Sequence, residues 1–263
     1  MILCIFWRLL RATMYKDPSA NIAHRARIGN DVEVGPYSII HENVAIGDRV
    51  KIGAYCELGI STPLSNGTPL RIGNDSTIRS NSVFYESSSF GEGMTTGHHV
   101  TVRENTTAGV GFQIGTQSEI QGDCLIGDYV RLQSNVFIGK KTTIGNFVWL
   151  LPYVVLTNDP TPPSNVLIGS TIEDFASIAA ASTVMPGVVI GHHAFIAAQA
   201  CVTKDIPPFM FAAGLPARVV GNASSIKLRD GSNRPAYPWT NHFTRGYPQL
   251  IINQWQLNKG QQE

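Results

Sequence analysis

Aliphatic residues recur at every sixth position over most of this chain. Leu, Ile or Val fills nearly all of these positions, and the exceptions are Phe84, Phe90, Thr96 and Ala108. Three runs carry the pattern: residues 22–58, 72–156 and 166–202. A short fixed period over this length is typical of a solenoid, in which each repeat buries its apolar side chain only against its neighbours.

A second inward position follows four residues after each aliphatic residue, where small or β-branched side chains such as Cys56, Cys124 and Val136 recur. Because side chains alternate across a strand, the fourth and sixth residues after a corner point the same way. Gly and then Asn or Asp commonly follow the aliphatic residue, and these types tolerate the backbone of tight corners. Each hexad is thus a short strand plus a corner, and successive coils must pair in parallel to satisfy their backbone groups.

Composition excludes several classes of function. The 263 residues are 43% hydrophobic with a formal net charge of +1, and no basic cluster indicates a nucleic-acid partner. Four separated cysteines form no CxxC pair, which favours a reducing, cytoplasmic setting. The apolar start "MILCIFWRLLRATM" contains Arg8 and Arg11 and is too short to span a bilayer, so we expect no membrane partner. It is either a surface-packed lead or sequence upstream of a start at Met14.

We expect three segments: an N-terminal lead (residues 1–21), a β-helix (22–221) and a C-terminal extension (222–263). Pro and Gly mark two loops expelled from the coil, at 59–71 and 157–165. We interpret the second as a substrate or cofactor flap, and a tolerated insertion is the alternative. In the extension, "QLIINQWQLNK" predicts a short amphipathic helix with Leu250, Ile251 and Trp255 on one side.

Residues 178–221 resemble the terminal coils of hexapeptide-repeat acetyltransferases, which end with V-T-K-D and G-x-P-A-R stretches, here at 202–205 and 214–218. The resemblance implies an all-β fold, a left-handed parallel β-helix of about 18 residues per coil. It also implies acetyl-coenzyme A as co-substrate and a homotrimer with active sites between subunits. The outward apolar residues Phe137, Phe147 and Trp149 are consistent with such interfaces.

With such a coil, residues 18 apart stack at roughly 4.8 Å and form columns. One outward column contains His99, Gln117, Asn135 and Tyr153, and the neighbouring corner column contains His98, Thr116 and Ser134. A polar ladder of this kind suits a polar ligand lying along the helix axis, and a solvated face is the alternative.

Small side chains mark the expected cofactor path. Ala180 and Ala198 stack one coil apart, so a pantetheine arm can approach the backbone there. Lys204 and Arg218 can meet the cofactor phosphates. The alternative is that these alanine-rich coils pack against a neighbouring molecule.

Residues 128–139 and 147–164 resemble the enzymes that N-acetylate nucleotide-linked amino sugars. That group keeps a polar segment where this chain has Gln133-Ser134-Asn135, and a T-N-D loop start at 157–159. The resemblance implies that Asn135 contacts the sugar at its amino group. We expect the acceptor to be bound by Gln117, Ser134, His98, Asn158 and Asp159.

This chain departs from related acyltransferases at the usual position of the base histidine. Ser134 fills that position, whereas His98 and His99 stand in the equivalent frame two coils earlier. A partly neutral sugar amine can attack a thioester directly if donors stabilise the oxyanion. We therefore expect Asn135 and Gln133 to orient the amine, with the proton leaving through His99, Glu119 or the departing thiolate.

The predicted function is N-acetylation, dependent on acetyl-coenzyme A, of a dTDP- or UDP-linked amino sugar for surface-polysaccharide synthesis. Sugar O-acetylation or transfer of a longer acyl chain is the enzymatic alternative. A trimeric metalloprotein like the γ-carbonic anhydrases is an alternative of another class, but its spaced histidines are absent and we expect no metal. A purely structural trimer is the last alternative.

Overall fold

The computed structural model describes residues 14–259, most of which form one parallel β-helix. Strands one coil apart pair in parallel, so that Arg131 lies between Gln113 and Trp149. The result is an all-β, left-handed solenoid of about 11 turns with one short C-terminal helix, as predicted. Three sheets form its faces, and the corners between them are called the first corner (residues 97–100, 115–118, 133–136, 151–154, 179–182 and 197–200), the second (103–106, 121–124 and 139–142) and the third (127–130 and 145–148).

The strands of each face are short. The first face contains β1 (Tyr15–Lys16), β4 (Glu33–Val34), β7 (Lys51–Ile52), β10 (Thr77–Ile78), β13 (Thr95–Thr96), β16 (Gln113–Ile114), β19 (Arg131–Leu132), β22 (Trp149–Leu150), β25 (Ser177–Ile178), β28 (Phe195–Ile196), β30 (Met210–Gly214) and the antiparallel β31 (Ala217–Asn222). The second face contains β2 (Asn21–Ile22), β5 (Ile39–Ile40), β8 (Glu57–Ile60), β11 (Val83–Tyr85), β14 (Thr101–Val102), β17 (Glu119–Ile120), β20 (Phe137–Ile138), β23 (Val155–Leu156), β26 (Thr183–Val184) and β29 (Cys201–Val202). The third face contains β3 (Arg27–Ile28), β6 (Val44–Ile46), β9 (Leu70–Ile72), β12 (Ser89–Phe90), β15 (Thr107–Ala108), β18 (Leu125–Ile126), β21 (Thr143–Ile144), β24 (Thr171–Ile172) and β27 (Val189–Ile190).

The two inward positions of each hexad fill the interior of the prism. Val136 and Ile138 are 1% and 0% exposed, and Cys56 and Cys124 are buried as predicted. Ser118 also points inward, where its hydroxyl donates to the carbonyl of Gln133 (3.0 Å) and accepts from the amide of Val136 (3.1 Å). Buried hydroxyls of this kind satisfy corner backbone groups that a purely apolar core would leave unpaired.

Loops and ends differ from the predicted bounds by a few residues. Parallel pairing begins at Tyr15, so part of the expected lead segment belongs to the β-helix, whereas residues 1–13 lie outside the described residues. The first loop spans 61–69 and the second spans 157–170. Val166 was predicted as an inward residue of the third hexad run, but it lies in the second loop and is 54% exposed. The amide of Ile168 donates to the carbonyl of Asn158 (2.7 Å), so the loop closes only after Val166.

Stacked rings form a column at the third corner. The centroids of Tyr129, Phe147, Phe175, His193 and Phe209 follow one another at 5.4, 4.9, 4.7 and 5.0 Å. All five residues have a positive φ, between 54° and 62°, which places each ring directly above the one in the preceding coil. Burial lowers the pKa of His193 to about 4, with a smaller lowering by His192 and an opposing effect of Asp174.

The C-terminal extension packs on this column and on the first face. Trp239, Tyr247 and Trp255 form a second apolar cluster with Phe147 and Trp149. The expectation that Phe147 and Trp149 line a subunit interface is therefore wrong, because their own chain covers them. Beyond residue 222 the extension contains two 3-10 turns (Ala223–Ser225 and Trp239–Asn241) and α1 (Gln249–Lys259).

The side of α1 that packs differs in part from the prediction. Trp255 is buried, but Leu250 is 69% exposed, and Ile252 joins Ile251 against the cluster in its place. Arg131 lies beneath the extension, 4.7 Å from the ring of Trp149 and 4.1 Å from that of Tyr247, and donates to the carbonyl of Gly246 (3.0 Å). The extension is thus held by a buried cation as well as by rings.

Replacing His193 by Phe should remove a component of acid instability. The unfolded imidazole binds a proton below about pH 6.5, whereas in the folded protein it resists protonation until about pH 4. Stability should therefore fall as the pH drops from 6.5 to 4, by about 2–3 kcal/mol from this group. Thermal unfolding from pH 8 to 4 should show a shallower decline for His193→Phe, and an unchanged slope would contradict this account.

Candidate functional site

A single column of backbone hydrogen bonds runs along the first corner. The amides of Gln117, Asn135 and Tyr153 donate to the carbonyls of His98, Thr116 and Ser134, at 2.9, 2.9 and 3.1 Å. These bonds place the predicted polar residues in successive coils at one edge of the prism. The two columns proposed from the sequence are therefore present and adjacent.

The outer residue of each of these corners adopts a left-handed backbone. His99, Gln117, Asn135 and Tyr153 have φ values of 55°, 58°, 60° and 64°. Asn is the best-suited non-glycine residue for this conformation. Asn135 is thus itself a turn residue, and its side-chain amide bonds to no protein group within residues 14–259.

The first position of this corner is glycine at 97 and 115, in the coils nearer the N-terminus, which we call the lower coils, and another residue in the upper coils. A Cβ on Gly115 would lie 2.2 Å from the backbone carbon of Gln133, so no side chain fits there. Gln133, in the next coil, carries an exposed side chain, and Leu151, Ala179 and Ala197 follow it in register. The polar segment at 133–135 is therefore the first coil above the glycines.

Glu119 lies beside this edge, on the second face. It is half-buried in register with Thr101 and Phe137, and its carboxylate accepts a hydrogen bond from the side-chain amide of Gln121. His98 and His99 are exposed one coil below Gln117. The first corner therefore offers the imidazoles of His98 and His99, three side-chain amides (Gln117, Gln133 and Asn135) and the hydroxyls of Thr116 and Ser134 along its edge, with the Glu119 carboxylate on the adjoining face.

The expected cofactor path continues the same columns. The amide of Ala181 donates to the carbonyl of Pro152 (2.9 Å), and that of Gln199 donates to Ala180 (2.9 Å). Ala180 and Ala198 therefore lie in register above Ser134, with Pro152 between, and Tyr153, 61% exposed, stands at the junction. The polar ladder and the small-residue path form one continuous edge.

The predicted cofactor cations lie at two separate places. The hairpin between β30 and β31 closes the first corner, because Phe211 is in register with Phe195, and Arg218 pairs with Ala213 in that hairpin. Arg218 is exposed and bonds the neighbouring carbonyl of Ala217 (2.8 Å). Lys204, also exposed, follows β29 at the second-corner edge, one face away.

Asn158 and Asp159 also lie at the second-corner edge, where the second loop leaves the coil. Asp159 accepts from the amides of Thr161 (3.0 Å) and Ser164 (2.8 Å) and from the hydroxyl of Ser164 (2.7 Å). These bonds, above all that from the Ser164 hydroxyl, lower the pKa of the Asp159 carboxyl. Within one chain, this loop and the polar ladder border opposite edges of the second face.

Two concave regions were not anticipated from the sequence. An open groove of about 480 Å³ at the third-corner edge is lined by His192, His193, Glu173 and Asp174 among others. A smaller pocket of about 190 Å³ lies between the first face and the extension, beside Leu151 of the first corner. Its aromatic lining comes largely from residues 237–243, whose turn-rich sequence shows aromatic content but not where it folds back.

Neither a metal cluster nor a spanning helix is found in residues 14–259. No three His, Cys, Asp or Glu side chains there are arranged to hold a metal ion. The helices in that range are too short or too polar to cross a membrane.

Substitutions of Asn135 should separate backbone conformation from side-chain chemistry. Gly adopts φ near 60° freely, so Asn135→Gly should change stability by less than about 0.5 kcal/mol. A β-branched residue is strained there, so Asn135→Val should cost roughly 1–3 kcal/mol. Urea unfolding of both variants checks this, and equal stabilities would contradict the assigned corner conformation.

Comparison with known proteins supports the repeat and the fold. Residues 25–59 match the family model described as bacterial transferase hexapeptide (six repeats). A crystal structure of Arabidopsis UDP-N-acetylglucosamine acyltransferase aligns with a TM-score of 0.52 at 22% identity, covering 78% of this chain and 73% of that one. At this identity the likeness concerns the fold.

Two curated relatives match in part. The acyl-[acyl-carrier-protein]–UDP-N-acetylglucosamine O-acyltransferase of Aliivibrio salmonicida is 31% identical over 131 residues, which are 46% of this chain and 48% of that protein. The bifunctional protein GlmU of Thermotoga petrophila is 28% identical over 138 residues, 43% of this chain and 31% of that protein. The chain thus spans less than half the length of either relative. The repeat, the coil register and these similarities together identify it as a hexapeptide-repeat protein of the left-handed β-helix fold, similar to acyltransferases.

Proposed function

We propose that the protein is an acyltransferase that moves an acyl group, in the simplest case acetyl, from coenzyme A to the amino group of a nucleotide-linked sugar. The observation that carries this proposal is the continuous edge of the first corner. Polar side chains occupy its lower part at Gln117, Ser134 and Asn135, and alanines occupy its upper part at Ala180 and Ala198. An acceptor and an extended thioester can therefore lie end to end along one edge.

The relatives support the acyl-transfer part of the proposal. The Aliivibrio salmonicida protein is named for transfer of an acyl group to UDP-N-acetylglucosamine. The acceptor class we propose, a dTDP- or UDP-linked amino sugar, shares the nucleotide-sugar chemistry of that name. The amino group as acceptor rests on the likeness of residues 133–135 to the sugar N-acetyltransferases.

The chemistry proposed for the corner is direct aminolysis of the thioester. The sugar nitrogen attacks the thioester carbon, the C–S bond breaks, and coenzyme A leaves as its thiolate while the nitrogen loses a proton. Asn135 and Gln133 hold the amine, and backbone amides in the alanine coils donate to the developing oxyanion. His99 or Glu119 receives the proton, or the departing thiolate takes it.

The assembly proposed is a homotrimer with sites between subunits. The extension covers part of the first face, whereas the second face presents the half-buried Val83, Phe137 and Val155 on its outer side. A second copy laid against that face would border the first corner. That copy would also bring its own second loop, with Asn158 and Asp159, toward the polar ladder of the first chain. Within one chain, this loop and the ladder lie at opposite edges of the second face.

A second candidate is O-acylation of a UDP-linked sugar by an acyl-carrier-protein thioester, which the name of the Aliivibrio salmonicida relative favours. A hydroxyl is far less nucleophilic than a neutral amine, so this reaction requires a positioned base. His98 and His99 are the imidazoles available along the edge. The two candidates therefore differ in their need for these histidines.

Thiol release across a panel of acceptors tests the proposal. Acetyl-coenzyme A should give thiol with amino sugars linked to dTDP or UDP, and no release with any of them would overturn it. Release only with UDP-N-acetylglucosamine and an acyl-carrier-protein thioester would favour the second candidate. Asn135→Gly should lower kcat/KM for the acceptor roughly 10- to 100-fold through loss of a positioned hydrogen bond. Asn81→Gly, at the equivalent corner three coils below with φ of 63°, is the matched control.

Ala180→Leu tests the donor path. A bulky side chain there should block approach of the pantetheine arm and weaken coenzyme A binding at least tenfold, measured by calorimetry. Ala54→Leu makes the same change at the same column near the other end of the helix and should leave binding intact. Equal affinities in the two variants would place the cofactor elsewhere.

A further inference from the structure

The pocket between the first face and the C-terminal extension is lined almost entirely by apolar and aromatic surface. Its volume is about 190 Å³. From the β-helix come Trp149, Leu151 and Ser177, and from the extension come Tyr237, Trp239, His242 and Phe243. The extension thus supplies most of one wall of the pocket.

The polar atoms of this lining are largely occupied. The indole N–H of Trp149 donates to the Tyr247 hydroxyl (3.1 Å), and that of Trp239 donates to the carbonyl of Phe175 (3.3 Å). His242 Nε2 donates to the carbonyl of Ala236 (2.8 Å). Within residues 14–259, the hydroxyls of Ser177 and Tyr237 and Nδ1 of His242 in this lining bond to no protein group.

This pattern distinguishes among possible ligands. A buried pyrimidine base needs several hydrogen-bond partners for its carbonyl and N–H edges. An aliphatic chain needs no hydrogen-bond partner, and the two free hydroxyls can donate to the single carbonyl of an acyl group. Burial raises the pKa of Tyr237 to about 12, so its hydroxyl stays protonated and can donate to that carbonyl.

The pocket lies beside the junction of the proposed acceptor and donor paths. Leu151 directly precedes Pro152, the residue of the corner column between Ser134 and Ala180. Tyr237 stacks on Phe195 at 4.4 Å, next to the coil that carries Ala198. A thioester placed where the two paths meet thus has the pocket at its side on the first face.

We propose that this pocket receives the acyl group of the donor thioester and that it admits a short chain of about four to six carbons. The inference rests on the proposed acyl-transfer function and specifies its donor. The size follows from the volume, since a dry cavity of about 150 Å³ accommodates a molecule of benzene's size.

Binding of non-transferable thioethers tests the pocket without any acceptor. Each buried methylene should improve affinity roughly fourfold, so S-butyl-coenzyme A should bind about fifteenfold more tightly than S-ethyl-coenzyme A. Ser177→Phe, which fills the pocket, should abolish this preference. Phe243→Ala should move the best-bound chain to a longer one. Thr95→Phe, outward on the same face but outside the extension, should keep the wild-type ratio.

The outcomes separate the inference from the function on which it rests. Equal affinities for the two thioethers, with coenzyme A still bound, would overturn the pocket assignment and leave acyl transfer intact. Tryptophan quenching by uridine or thymidine that S-butyl-coenzyme A reverses would overturn it in favour of a nucleobase site. Failure of every coenzyme A derivative to bind would overturn the proposed donor, and the pocket assignment with it.

Discussion

The hydrogen bonds between one coil and the next are the constraint on which this molecule depends. Each strand is only two to six residues long and pairs with the strands one coil before and after it, so no coil is stable alone. Because the pairing continues through the corners, as between Asn135 and Thr116, extra residues can leave only where a corner opens. The same pairing stacks equivalent residues of successive coils in columns. Polar residues and alanines can therefore follow one another along the first corner in the order in which they occur in the sequence.

The extension shows how such a scaffold acquires an asymmetric feature. The stacked rings at the third corner would leave apolar surface open to solvent, and residues 237–255 pack over part of it. Arg131 secures the junction because its guanidinium stacks between Trp149 and Tyr247, although burial lowers its pKa. The cluster that the extension forms includes residues of the first face and of the third corner and none of the second face, which stays available for another molecule.

The sequence predicts those parts of the structure that depend on a local period. The coil, the inward residues such as Ile138 and the column of Asn135 all follow from spacing, because parallel pairing repeats the same register. The positions of Phe147 and Trp149 under the extension could not be predicted, since contacts with Tyr247 join segments about a hundred residues apart with no shared period. The bonds that tie Asp159 into its own loop were missed for a similar reason, because loop geometry is not encoded in the hexad.

The proposed donor and acceptor sites along the first corner differ in how many chains are needed to complete them. The upper part of the edge adjoins the extension of the same chain, so a donor bound there meets a wall that is complete in one subunit. The same edge borders the second face along its length, and Glu119 and Phe137 lie in register on that face beside the polar ladder. Under the proposed function, the acyl donor is therefore held by one chain, whereas the acceptor site is completed by a second copy. Donor affinity would then persist in a separated subunit, and turnover would require assembly, because the loop with Asn158 cannot reach its own ladder across the width of the second face.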